Sequence, residues 1–198
     1  MPRNKADCDK CPKRFIVTDD PLRARMMAAH HLDHASLLYE RGDAQAWSGS
    51  YDGAQITLLS TGPDLRSALI EPECAGLSGT GEMLYVGVCA SASSGVALWS
   101  IVLPGGGDPS MRERCVRAAA RLNLPIHPHP AETDISDGMA AAFHACARDN
   151  GIAALSVLTV AENTATGEKM EEHERRSRLY GAVRLAFETL ACHDGGDS

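Results

Sequence analysis

The feature that most constrains this chain is a set of nearly uninterrupted apolar runs of strand length. Residues 83–89 (MLYVGVC), 97–103 (ALWSIVL) and 153–160 (AALSVLTV) carry too few polar side chains to leave one face in water. Such runs suit strands covered on both faces, as in a largely parallel sheet packed between helices. Helical stripes lie between them. Cys115, Val116, Ala119 and Leu122 recur at helical spacing over 111–122, and Met139, Ala142, Phe143 and Cys146 follow at i, i+3, i+4 and i+7, closed by Gly151. A β-rich segment at 13–18 (KRFIVT) stops at Asp19-Asp20-Pro21, where an Asp cap and a first-turn proline predict a helix, with helical character over about 23–38. Over 48–59 the Asp52-Gly53 dipeptide predicts a hairpin. A last helix is expected over 171–190, burying Leu179, Val183, Ala186, Phe187 and Leu190. Strands alternating with helices, without an internal repeat, give the α/β class.

A chain of 198 residues suits one domain with a real core, here expected over 13–192 between a polar lead (1–12) and a short tail (193–198). The formal charge of −7 argues against a nucleic-acid platform, which needs clustered Lys and Arg. No apolar run approaches the ~20 residues of a spanning helix, and the first residues lack the apolar core of a secretory leader, so no membrane partner is expected. Seven scattered cysteines read as reduced thiols of a cytoplasmic protein. Cys8-x-x-Cys11 has no second ligand pair at matching spacing, and His30, His31 and His34 read as a solvated face, so no metal is assigned. His144, between apolar positions, reads as a packed or hydrogen-bonded histidine.

Gly105-Gly106-Gly107 follows a strand, but Asp108-Pro109 comes next, where a phosphate cradle would want free amides; a plain turn fits better. One segment carries chemistry by position. Glu162 stands at the end of a predicted strand and Arg175 a short loop later, a candidate acid–base pair where open α/β sheets gather their ligands.

Several blocks, taken in order, resemble one family. Residues 15–28 (FIVTDDPLRARMMA) are similar to the first strand and phosphate loop of the purine nucleoside and uridine phosphorylases. Glu40-Arg41-Gly42 and 48–53 (SGSYDG) look like the family's next loop and hairpin. Ser60-Thr61-Gly62 with Ser67-Ala68 looks like its glycine turn and helix. Residues 85–90 (YVGVCA) sit where the family has its arginine-bearing strand end, and Leu158 to Asn163, Thr166-Gly167-Glu168 and Glu174-Arg175 resemble its strand-and-loop segment carrying the proton donor. The resemblance implies a single-domain three-layer fold with a mixed central β-sheet flanked by helices. It implies phosphorolysis of a nucleoside to free base and ribose 1-phosphate, with no cofactor and with inorganic phosphate as co-substrate. Arg23 and Arg41 would bind phosphate, Arg41 in a neighbouring subunit's site. Glu162 with Arg175 would protonate the leaving base, and Asp137 and Met139 fall at the ribose-side loop. A dimer-based homo-oligomer is implied, or a hetero-oligomer with an active relative.

The departures concentrate on phosphate. Asp19 replaces a glycine whose amide approaches the anion, and like charges at 4 Å cost about 4 kcal/mol at an effective dielectric of 20. Tyr85 replaces a phosphate-binding arginine and Val88 a neighbouring hydroxyl residue. Glu162 replaces an Asp, one methylene longer, and a shift near 1 Å can cost about 10²-fold in rate. Three readings stay open: a phosphorylase with impaired or altered catalysis, an inactive nucleoside-binding homologue, and a phosphate-independent nucleosidase. The last has no evident replacement base in the sequence.

Overall fold

The computed structural model describes residues 14–62, 81–128, 135–136, 138–177 and 179–191. The strands are β1 (Arg14–Thr18), β2 (Asp33–Arg41), β3 (Ala44–Tyr51), β4 (Ala54–Ser60), β5 (Glu82–Ser91), β6 (Ile101–Val102), β7 (Ile126–His127), β8 (Ile135–Ser136), β9 (Ala153–Asn163) and β10 (Glu168–Lys169). The helices are α1 (Pro21–His31), α2 (Pro109–Arg121), α3 (Gly138–Asp149), α4 (Glu172–Ser177) and α5 (Tyr180–Ala191).

All the described strands join one mixed sheet, ordered β2-β3-β4-β1-β5-β9-β6-β7, with β10 on β9 and β8 on β5. Its centre is parallel: β1 lies between β4 and β5, and β5 pairs β9. Alternation along β5 sends Leu84 and Val86 to one face and Met83, Tyr85 and Cys89 to the other. The first face packs against Met27 and Ala28 of α1, Met111, Cys115 and Ala118 of α2, and Leu185, Phe187 and Leu190 of α5. The second packs against Ala140, Phe143 and Ala147 of α3. Helices thus cover both faces of a mixed sheet, the three-layer arrangement expected.

The hairpin forms as read: Asp52 (φ 48°) and Gly53 (φ 76°) are both left-handed, the pair of positive φ angles that a two-residue turn matched to strand twist requires. Asp20 caps α1, its Oδ1 accepting from the Leu22 and Arg23 amides at 2.8 and 3.3 Å.

Four local expectations are corrected. The helix begun at Pro21 ends at His31, because Leu32 turns extended (φ −97°, ψ 126°) and 33–41 pairs antiparallel with β3. Leu37, Leu38 and His34 therefore lie on a strand, and the three histidines do not share a helical turn. Only Ile101–Val102 of the run 97–103 is a strand; Trp99 is left-handed (φ 71°), although its amide still donates to the Val160 carbonyl at 2.9 Å. The last helix is two, α4 and α5. The buried stripes are also rotated: Val116 is exposed while Met111 and Ala118 are buried, and Ala140, His144 and Ala147 are buried where Met139 and Cys146 are half-buried. Among the described residues no helix is long and apolar enough to cross a membrane, and no group of three or more His, Cys, Asp or Glu side chains could hold a metal.

Candidate functional site

The carboxyl ends of β1, β5 and β9 lie on one side of the sheet, because the three strands are parallel neighbours. A cleft of about 590 Å³ opens there, lined by Asp19, Asp20 and Arg23 after β1, Val88 of β5, Lys169 of β10, and Met170, Glu171, Glu172 and Arg175 around α4. Strand carboxyl ends are where open α/β sheets take ligands.

Arg23 is the hub of this cleft. It projects from the first turn of α1 and is only 5% exposed. Its Nη1 donates to Thr18 Oγ1 and to Asp19 Oδ1, both at 2.8 Å, and reaches the Val86 carbonyl at 3.5 Å. Nη2 reaches the Arg175 carbonyl at 3.5 Å, so one guanidinium ties β1, β5 and α4 together. Its Nε is buried without a hydrogen-bond partner, as is Nε of Arg175. A guanidinium this buried needs a counter-charge, and Asp19 supplies it from the same chain.

Glu162 and Arg175, thirteen positions apart in sequence, come together: Arg175 Nη2 lies 3.8 Å from Glu162 Oε2. A bulge helps to aim the acid. The β5–β9 register slips between Cys89 and Ala90, so that Ala90 pairs with Glu162 and Ala161 is passed over. Asn163, fully buried, then fixes the following loop, its Nδ2 donating to the Ser93 and Val96 carbonyls and its Oδ1 accepting from the Ala165 and Thr166 amides.

The sequence reading missed Lys169. Its Nζ lies 3.2 Å from Glu162 Oε2, closer than Arg175, because β10 folds back on β9 with Lys169 opposite Glu162. Thr166-Gly167 was the available signal, since Gly167 (φ 75°) closes that hairpin. Among the described residues the cleft walls carry four carboxylates (Asp19, Asp20, Glu171, Glu172) against three cations (Arg23, Lys169, Arg175).

The other site positions lie elsewhere or outside the described residues. Val88 lines the cleft, but Tyr85 does not. Its side chain is 1% exposed on the α3 face, tilted against Phe143 at 5.7 Å. Arg41 ends β2 at the exposed turn into β3, away from the cleft walls. Met139 is half-buried against the α3-side core, and Asp137 lies outside the described residues, as do Ser67, Ala68, Cys8 and Cys11.

No family model matches the chain. It is 23% identical over 229 aligned positions to the DeoD-type purine nucleoside phosphorylase of Aliivibrio salmonicida, an alignment covering 95% of this chain and 97% of that protein. It is likewise 23% identical to a DeoD-type 2 purine nucleoside phosphorylase of Vibrio parahaemolyticus, over 88% of this chain and 91% of that one. Among solved structures, the purine nucleoside phosphorylase of Toxoplasma gondii in complex with immucillin-H superposes with a TM-score of 0.80 at 15% identity, covering 93% of this chain and 92% of that one. The chain thus has the fold of that purine nucleoside phosphorylase and is similar in sequence, along nearly its whole length, to DeoD-type purine nucleoside phosphorylases.

Proposed function

We propose that this chain binds a nucleoside in the cleft and cleaves its N-glycosidic bond, with phosphorolysis impaired relative to the family reaction. The observation that carries the proposal is the Glu162–Arg175 pair, closed to 3.8 Å, whose Arg175 lines the same cleft as the buried Arg23. Cleavage of that bond needs a group that protonates or hydrogen-bonds the departing base so that it leaves neutral, and a carboxyl oriented by an arginine is suited to the task. Impairment follows from Asp19. Its carboxylate already takes the Arg23 guanidinium, and a phosphate oxygen brought within 4 Å of it would meet a repulsion of about 4 kcal/mol at an effective dielectric of 20. Val88 offers no hydroxyl to an oxyanion, and losing even one preorganised donor can be worth ~10²–10³ in rate.

No cofactor enters the proposal. A dimer-based homo-oligomer in the cytoplasm goes with it, with Arg41 exposed at the β2–β3 turn. The same Asp19–Arg23 pair favours one second reading, a non-catalytic nucleoside-binding protein that serves as partner to an active relative.

Purified protein incubated with inosine, adenosine or uridine, with and without inorganic phosphate, distinguishes these. The expected result is base release from at least one nucleoside, stimulated less than 10-fold by phosphate and lost in Glu162→Gln. Release that needs phosphate and reaches the ~10 s⁻¹ common among enzymes would remove the impairment. Binding without release from any nucleoside would favour the partner role.

A further inference from the structure

We infer that the nucleophile in this cleft is water and that Asp19 is the general base that accepts its proton. The inference rests on the proposed nucleoside cleavage and supplies its second reactant.

Asp19 lines the cleft with its side chain 31% exposed, so that water reaches it. Its two contacts, from Arg23 Nη1 at 2.8 Å and Thr18 Oγ1 at 3.5 Å, both fall on Oδ1. Among the described residues no group donates to Oδ2. The carboxylate is therefore held by one oxygen and has the other available as an acceptor, the arrangement a positioned base requires. Arg23 cannot swing away to take a free anion without leaving Asp19 behind, since it is 5% exposed and fixed to Thr18 as well. The first-turn amides of α1 that could cradle an oxyanion are already capped by Asp20. Arg23 Nη1 and the first-turn amides are thus occupied by the chain's own carboxylates, whereas a water molecule meets an acceptor at Asp19 Oδ2. Glu162, with Arg175 at 3.8 Å and Lys169 at 3.2 Å, stands as the second carboxyl.

Two carboxyl groups then divide the work, as they do at glycosidic bonds cleaved with inversion. The C1′–N bond breaks and its electron pair leaves with the base, which takes a proton from Glu162. The water oxygen forms the new bond to C1′ and its proton passes to Asp19. The products are free base and ribose, the sum of nucleoside and one water. Both carboxyls regain their starting state by proton exchange with solvent. The sugar passes through a cation-like state, which a nearby carboxylate stabilises and an arginine without a counter-ion would oppose.

The test follows inosine cleavage by the wild type, Asp19→Asn and Asp19→Glu with and without inorganic phosphate, reading free hypoxanthine, free ribose and ribose 1-phosphate, with inosine binding measured by calorimetry. The expected result is ribose as the sugar product. Asp19→Asn should lower kcat by about 10²–10⁴-fold with inosine affinity within a few-fold of wild type, and Asp19→Glu should recover part of the rate. Ribose 1-phosphate as the product, or hydrolysis undiminished in Asp19→Asn, overturns the role of Asp19 while leaving nucleoside cleavage standing. Absence of base release with and without phosphate overturns the cleavage proposal itself, and this inference with it.

Discussion

At position 85 an aromatic ring stands where resemblance led one to look for a departed phosphate ligand, yet the ring is core. Tyr85 lies on the α3 face against Phe143, and its neighbour Gly87 is what admits it. A Cβ at Gly87 would meet Tyr85 Oη at 2.5 Å and Cζ at 2.7 Å, in a region with no room for the ring to retreat. Gly87→Ala should therefore cost about 1–3 kcal/mol by forcing the ring off its place, measured by urea unfolding, whereas a loss under about 0.5 kcal/mol would contradict this packing. Position at a strand end identified Glu162 and Arg175, and the family resemblance Arg23; Arg23 and Arg175 line the cleft, and Glu162 pairs with Arg175. What these signals could not disclose is partner choice. That Asp19 closes on Arg23 is set by the turn from β1 into α1, and that Lys169 sits nearer Glu162 than Arg175 does is set by the short β9–β10 hairpin.

Elements with strong local signals were legible and those decided by tertiary pairing were not. The Asp-capped, proline-led start of α1 and the Asp52-Gly53 turn carry their own geometry. The segment 33–41 has helix-forming residues but ends as an edge strand because β3 offers it a ladder, a competition that propensity cannot decide. The buried stripe on α3 is shifted by one position from the apolar pattern, and His144 is buried and hydrogen-bonded, as its place between apolar residues implied. That burial has a consequence. His144 Nε2 lies 3.0 Å from Ser156 Oγ, and desolvation, with Arg112 adding repulsion, lowers its pKa from 6.5 to about 4. A histidine whose folded pKa is depressed is held neutral by the fold, so the unfolded chain binds more protons between these values. Stability contributed by neutral His144 is complete above pH 6.5 and is lost as pH falls toward 4, by about 3 kcal/mol in total. Burial lowers His31 too, so it acts in the same sense. Urea unfolding across pH 4–7 should show this decline, and His144→Leu should flatten most of it. An equal slope in wild type and variant would assign the acid sensitivity elsewhere.

At the scale of the molecule, the three layers and the sheet's parallel centre place the ends of β1, β5 and β9 together, and so decide where a ligand goes before any side chain is considered. The fold class was legible because buried parallel strands need continuous apolar runs and their covering helices need stripes. The site was legible only as a set of positions, since its character comes from charges the fold brings together: among the described residues, four carboxylates face three cations around the cleft of a chain similar to proteins named as phosphorylases. The central claim is that the chain's own Asp19 carboxylate fills the place of an external anion on Arg23. Calorimetric titration of inorganic phosphate into the wild type and Asp19→Asn, at matched ionic strength, tests it most directly. Phosphate should bind Asp19→Asn at least 10-fold more tightly than the wild type, whose affinity should be too weak to saturate at ~10 mM, because about 1.4 kcal/mol of relieved repulsion already yields a tenfold change. Submillimolar phosphate binding by the wild type, unchanged by the substitution, would contradict the claim.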